Sequence, residues 1–292
     1  MSQKASTKFR FTTNRERPLI IAGPCMAESL SQLDEVASFL KGVQAKLGFD
    51  FVFKASFDKA NRTSISSFRG YGLDTSLKWM SEIKDKYSVF LTTDVHETYQ
   101  VIPVSQVVDV IQIPAFLSRQ TDLIVQSAKT GKAVNIKKGQ FISPYSVAHM
   151  VEKVAVSCKE GEALSGVCAI TERGFCMGYQ DLVVDMRALP IMKKLSSCPI
   201  IFDITHSTQQ PPSGEGATTK GRRNVAPVLT RSALMSGYVD GFFMEVHPNP
   251  SQAQSDIKVQ LSFDQAEHLL TQICSLWSVA KDVSAIDSYF YD

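Results

Sequence analysis

The chain has 292 residues, 44% hydrophobic and 21% charged, which is the composition of an ordinary globule with material for one large core or two smaller ones. A net charge of +2 excludes a general affinity for nucleic acid or membrane, so any anionic ligand must be met by local basic clusters. No apolar run approaches the ~18 residues of a membrane span.

The opening stretch MSQKASTKFRFTTNRERP is polar and basic, with no hydrophobic region behind it, so a short polar segment over about 1–17 and a cytoplasmic location are expected. Eight short apolar runs then follow in order: LIIAG (19–23), FVFKA (51–55), VFLTT (89–93), VIQIP (110–114), AVNIK (133–137), GVCAI (166–170), PIIFDI (199–204) and GFFMEV (241–246). They are too short for helices, and their unbroken apolarity suits strands covered on both faces, as in a parallel sheet. Amphipathic stretches separate them. SLSQLDEVASFLKGVQAKLG places Leu30, Leu33, Val36, Phe39 and Leu40 at helical spacing and stops at Gly48. TSLKWMSEIKDKY and SPYSVAHMVEKVAVSCKEG read the same way, with Trp79 in the first of them and Trp277 in a later helix expected in the core. Eight strand–helix units predict an α/β chain folded as a single (β/α)8 TIM barrel over 1–292, with an open doubly wound sheet as the alternative. GEG at 214–216 follows no strand-to-helix turn and is no dinucleotide fingerprint.

Barrel active sites gather where strands end. At or just beyond these runs stand Cys25, Lys54, Lys59, Asp94, His96, Gln112, Lys137, Lys138, Glu172, Arg173, Asp203, His206, Glu245 and His247. Lys54, Lys59, Arg62, Lys137 and Arg173 come from three strand ends that a closed barrel brings together. Singly each could be a surface cation; as a set they predict an anion site, phosphate above all. The polar stretch KASFDKANRTSISSFRG (54–70) offers donors for a second anion. STQQPPSGEGATTKGRR (207–223), rich in Gly, Pro and Ser, has the composition of a lid or of a loop without a role. His149 and His268 are expected at the surface or in packing, and His96 and His247 equally as supporting or catalytic groups. Cys158, Cys168, Cys176, Cys198 and Cys274 read as small buried hydrophobes and reduced thiols, and Met192-Lys193-Lys194 as a solvated helix end. Cys25 could be packing, a metal ligand or a nucleophile.

FKASFDKANRTS (53–64), TDVHE (93–97), DVIQIPAFLSRQTDL (109–123), NIKKGQF (135–141), ERGFCMGY (172–179), DLVVDMRALPIMKK (181–194), FDITHS (202–207) and FMEVHP (243–248) closely resemble the KDO-8-phosphate synthase family. The resemblance implies a (β/α)8 barrel, usually a homotetramer. It would condense phosphoenolpyruvate with D-arabinose 5-phosphate, release phosphate and serve lipopolysaccharide assembly. It implies a phosphoenolpyruvate site of Lys54, Ser56, Lys59, Gln112, Lys137 and Arg173. Arabinose 5-phosphate would meet Asn61, Arg62 and Thr63, with Arg119 reaching a neighbouring subunit's site. Asp94 and His206 would lie near the reacting carbons, with Lys137 and Asn61 also catalytic. Metal-dependent members of the family carry a cysteine where this chain has Cys25, so Cys25, His206, Glu245 and Asp256 are expected to hold a divalent ion. Their S, N and O donors suit Zn²⁺, Fe²⁺ or Mn²⁺. Tyr71 and Ser118 depart from residues frequent in the family. The sister heptulosonate 7-phosphate synthase, which uses erythrose 4-phosphate, ranks second because Asn61 suits a longer sugar's hydroxyl.

Overall fold

The computed structural model describes residues 8–13, 16–62, 64–158, 162–177, 182–210 and 220–286. Eight parallel strands close into a barrel: β1 Leu19–Gly23, β2 Asp50–Lys54, β3 Phe90–Asp94, β4 Val110–Ile113, β5 Ala133–Lys137, β6 Cys168–Glu172, β7 Ile200–Asp203 and β8 Gly241–Glu245. Each neighbours the next, and β1 pairs with β8 through Leu19↔Gly241 to Gly23↔Glu245. The eight apolar runs are therefore the eight strands. One was placed two residues early: Gly166 and Val167 belong to the helical turn Leu164–Val167, and β6 starts at Cys168.

A helix follows every strand: α1 Leu30–Leu47, α2 Leu73–Tyr87, α3 Val101–Val107, α4 Thr121–Lys129, α5 Val147–Ala155, α6 Ala188–Ser196, α7 Ala226–Met235 and α8 Phe263–Ile286. The α1 boundaries follow from local chemistry. The Ser29 hydroxyl accepts from the Gln32 amide, and Gly48 takes φ 75° to end the helix.

Strand alternation divides the interior in two. Outward residues such as Ile20, Phe53, Ile111, Ile136, Ile170 and Phe242 join the helices in the larger core. Inward residues Leu19, Ile21, Val52, Val110, Ala133, Ala169, Ile201 and Phe243 fill the barrel. Phe9 and Phe11 pack onto this second cluster, edge to face with each other at 5.1 Å, and Phe9 meets Phe90 at the start of β3. The stretch expected to be merely polar thus plugs the N-terminal end of the barrel, and the Phe11 amide fastens it to the Gly166 carbonyl at 3.0 Å. Hydrophobicity was diluted here by basic neighbours, so two aromatics spaced by one residue went unread.

Other expectations shift in detail. Trp277 is buried, and Trp79 is half-buried against the core. His149 and His268 lie at the surface. Cys168 and Cys198 are buried, but Cys158 and Cys274 are half-exposed and Cys176 is exposed, because it sits in the short ladder Phe175–Cys176/Leu182–Val183 outside the barrel. Met192 is fully buried and Lys193 is paired with Asp240, so only Lys194 of that trio is a solvated helix end.

Phe11→Ala should cost about 3–5 kcal/mol, the usual range for emptying a buried phenylalanine site. Urea unfolding at fixed protein concentration reads this as a lowered midpoint, and an unchanged midpoint would show the plug carries no stability.

Candidate active site

The alternation that fills the barrel with apolar groups aims polar ones into its C-terminal mouth. β2 contributes Lys54, β3 Asp94, β4 Gln112, β5 Lys137, β7 Asp203 and β8 Glu245, with Arg173 just past β6; none is more than 8% exposed. Their neighbours of opposite parity, Lys138 and Glu172, pair with each other at 3.5 Å in the outer core. Gly23 ends β1 without a side chain, where a Cβ would lie 1.9 Å from the Lys54 carbonyl. That close approach lets the Cys25 loop fold over β2.

Buried charges need partners. Lys54 Nζ sits 2.5 Å from Glu245 Oε1 and donates to the Cys25 carbonyl at 2.9 Å. Lys137 pairs with Asp203, its ammonium 3.1 Å above the Phe243 ring centre. Lys59 donates to Ser56 Oγ at 3.0 Å. Burial would lower the Lys59 pKa, but Cys25, Glu245, Asp94 and Asp256 hold it above the ordinary lysine value. Burial also works to raise Asp94, Asp203 and Glu245, and in each the neighbouring lysines and hydrogen-bonding histidines win. His96, Lys59 and Lys54 keep Asp94 ionised, and His206 and Lys137 do so for Asp203. Lys54, His206 and Lys59 hold Glu245 at about 2. Lys137 goes the other way: burial, outweighing Asp203, pushes it down to about 8.

Beside the cations lies a cluster of metal-ligand types. The donor atoms of Cys25, Glu245 and Asp256 lie within 4.8 Å of one another. His206 stands at the edge, its Nε2 3.7 Å from Glu245 Oε2 and 3.9 Å from Asp256 Oδ2. The Nδ1 of the same ring is 2.8 Å from Asp203 Oδ2. A carboxylate on Nδ1 fixes the tautomer that leaves Nε2 free to ligate. Burial, then Glu245, pushes the Cys25 thiol well above its usual pKa, and the thiol donates to Asp256 Oδ2 at 3.1 Å. Glu245 Oε2 is buried with no hydrogen-bond partner among the described residues. Two carboxylates, an imidazole and a thiol around an unsatisfied oxygen form a donor set that a divalent cation fits, since it replaces the thiol proton and satisfies that oxygen.

The structure therefore brings together Cys25, Lys54, Ser56, Lys59, Asp94, Gln112, Lys137, Arg173, His206, Glu245 and Asp256. It does not bring in the rest. Asn61 is exposed on the rim; Arg62 donates to the carbonyls of Phe68 and Gln254, 3.2 and 2.7 Å away. Thr63 lies outside the described residues. Arg119 is exposed beyond β4, where its carbonyl accepts from Lys153 Nζ at 2.7 Å. Tyr71 packs edge-on to Phe68 and Trp79, and Ser118 is buried. Of the segment 207–223, residues 211–219 lie outside the described residues, and its ends form the ladder Gln209–Gln210/Lys220–Gly221. His96 Nε2 lies 3.0 Å from Asp94 Oδ2, and His247 Nε2 lies 3.5 Å from Glu28 Oε2.

Three residues were missing from the expected site. Asp203, noted only as a strand-end group, holds both Lys137 and His206. Gln260 is wholly buried, accepts the Cys25 amide at 3.0 Å and donates to the Ser255 carbonyl, tying two ligand loops together. Gln209 joins Arg173 to Asp256. A terminal Asp on an apolar strand could have flagged the first; nothing local marks the glutamines.

Residues 5–284 match the model of the DAHP synthetase I family. A protein of Desulfotalea psychrophila named 2-dehydro-3-deoxyphosphooctonate aldolase is 45% identical over 264 residues, 90% of this chain and 91% of the relative. Proteins of the same name from Fusobacterium nucleatum and Nitrobacter winogradskyi are each 46% identical, covering 92% of this chain and 94% and 92% of their own lengths. The family model is named for DAHP synthetase, whereas these relatives, matched over 90–92% of this chain, are named octonate aldolases. The chain belongs to the DAHP synthetase I family and, within it, to the 2-dehydro-3-deoxyphosphooctonate aldolases, the KDO-8-phosphate synthases whose motifs it carries.

Proposed function

We propose that the protein condenses phosphoenolpyruvate with D-arabinose 5-phosphate and water, giving 3-deoxy-D-manno-octulosonate 8-phosphate and inorganic phosphate. The observation that carries this is the meeting of Lys54, Lys59, Lys137 and Arg173 with the Cys25, Glu245 and Asp256 donors in one mouth. A plain anion-binding barrel has no use for the donors, and a metal hydrolase has no use for four converging cations.

In this reading Arg173, Lys137, Lys59 and Lys54 hold the phosphate and carboxylate of phosphoenolpyruvate, with Ser56 and Gln112 as neutral donors. Arg173 Nη1 is buried and unpartnered among the described residues, so it is a donor ready for phosphate. Arg62, Thr63 and Asn61 on the rim take the sugar phosphate and its hydroxyls. The fixed cations offset repulsion between two anionic substrates and orient them, which lowers the entropic barrier. C3 of phosphoenolpyruvate then bonds to the aldehyde carbon, the aldehyde oxygen takes a proton, water adds at C2, and loss of phosphate leaves the ketone. Asp94 is the group that holds or moves protons beside these carbons, and His206, with Nδ1 on Asp203 and Nε2 turned to the metal donors, lies beside them as a ligand. A divalent ion held by Cys25, His206, Glu245 and Asp256 would supply Lewis-acid polarisation.

We also read the protein as a cytoplasmic homotetramer in lipopolysaccharide assembly. Exposed Tyr99, Phe116, Phe141 and Tyr145 on the loops after β3, β4 and β5 support an interface, with Arg119 as the residue lent to a neighbour. Among the described residues no helix is long and apolar enough to cross a membrane.

The deciding assay is phosphate release from phosphoenolpyruvate with the two acceptors compared. Arabinose 5-phosphate should be strongly preferred, and equal or better turnover with erythrose 4-phosphate would move the assignment to the heptulosonate reaction. Dipicolinate should abolish activity and a divalent cation restore it, while Cys25→Ala should bind Zn²⁺ poorly in chelator competition. Full turnover in a metal-free preparation would reduce Cys25 to packing. Phosphoenolpyruvate binding has its own pH signature. Protonated Lys137 attracts the ligand, so affinity is full below pH 8 and falls as pH rises through about 8. Titration of metal-free protein should show several-fold weaker binding at about pH 9.5 than at 7.5. Lys137→Arg, whose charge persists, should flatten the profile, and an identical slope in that variant would rule Lys137 out.

A further inference from the structure

Gln209 lies just past β7, at the first rung of the Gln209–Gln210/Lys220–Gly221 ladder, where it pairs in register with Gly221. Its side-chain oxygen accepts from Arg173 Nη2, and its side-chain nitrogen donates to Asp256 Oδ1 at 3.1 Å. The orientation of this amide is fixed by its partners. A guanidinium only donates and an ionised carboxylate only accepts, so a flipped amide would face both wrongly. A side-chain amide presents a strong acceptor and a donor on one rigid plane, as this bridge requires.

The second atom of each charged group matters as much. Asp256 gives Oδ1 to Gln209 and turns Oδ2 towards Cys25 at 3.1 Å and His206 at 3.9 Å. Arg173 gives Nη2 to Gln209 and keeps buried Nη1 unpartnered among the described residues. Gln209 therefore occupies one atom of each charged group and leaves the other for a ligand. A phosphate on Nη1 and a cation on Oδ2 can both bind without breaking the bridge.

We propose that Gln209 is a positioning residue that couples the two halves of the site, so that a cation on Asp256 improves phosphoenolpyruvate binding at Arg173, and the reverse. The inference rests on the function proposed above. Ligation fixes the Asp256 carboxylate, which fixes the amide, which holds Arg173 in place. The second ligand then pays less of the ordering entropy. Linkage requires the effect to be reciprocal.

The test is calorimetric and needs no turnover. Phosphoenolpyruvate binding is titrated with and without Zn²⁺, and Zn²⁺ binding with and without phosphoenolpyruvate, in the wild-type protein and in Gln209→Met. The ratio of the two dissociation constants is the coupling factor. Direct attraction between cation and ligand is common to both proteins, so the change in that factor reads the amide. A hydrogen bond to a charged group is worth ~1.5–3 kcal/mol, of which the coupling takes only a part, so the factor should fall about two- to tenfold in Gln209→Met. Gln209→Glu keeps the acceptor towards Arg173 but loses the donor towards Asp256, and should lower the factor similarly even though its charge alters each separate affinity. An unchanged factor in both folded variants overturns the proposal, even if both affinities weaken, because that is what a merely structural residue would do. Wild-type protein that binds neither ligand would instead overturn the function on which the proposal rests.

Discussion

The structure is governed by the cost of keeping charge out of water. Lys54, Lys137, Arg173, Asp203 and Glu245 are almost inaccessible to solvent. An isolated lysine or carboxylate in such a place would lose its charge, so Lys54 and Glu245, and Lys137 and Asp203, pair across strands, while the Arg173 guanidinium keeps its charge unaided. Lys54 leans on Glu245 from across the β1 seam, and Lys137 on Asp203 from two strands away. The partners are not neighbours in sequence, so the pairs exist only while the barrel is closed. Closure and chemistry are thus one condition. The fold supplies the dielectric that strengthens the cations, and the cross-barrel pairs keep them ionised.

This balance leaves selected valences open. Burial and nearby carboxylates favour a protonated Cys25, while Glu245 Oε2 and Arg173 Nη1 have no partner among the described residues. Those are one place for positive charge and one for negative, and Gln209 and Gln260 stand behind them. In each case a neutral amide aligns a charged or ligating group without altering the charge count.

Much of this was legible in the sequence, for identifiable reasons. The eight strands announced themselves because strands covered on both faces must be apolar throughout. The mouth was legible because Lys54, Asp94, Lys137 and Glu245 interrupt apolar runs at their ends, where polarity is costly unless used. What stayed hidden depended on pairing in space. Asp203 looks like any strand terminus until Lys137 and His206 are seen on either side of it. Gln209 and Gln260 carry no charge and sit in unpatterned loops. Phe9 and Phe11 were masked by Lys8 and Arg10, and Cys176 was misjudged because its ladder lies off the barrel. The chain's own sequence could not place Arg119 in any pocket of a single subunit.

The strict inside–outside alternation of the strands carries a consequence for how such a gene can vary. In β5 and just past β6, two pairs of adjacent residues, Lys137-Lys138 and Glu172-Arg173, divide between the mouth and the outer core. Deleting one codon within β6 ahead of them would turn Arg173 outward and bring Glu172 to the mouth, setting a carboxylate among its cations in place of a guanidinium. In β5 the same deletion would exchange one lysine for another and leave the mouth's sign intact. The two strands therefore differ sharply in their tolerance of a frame-preserving indel. Length variation among descendants of this chain should collect in the loops and, if it enters the barrel at all, should spare β6.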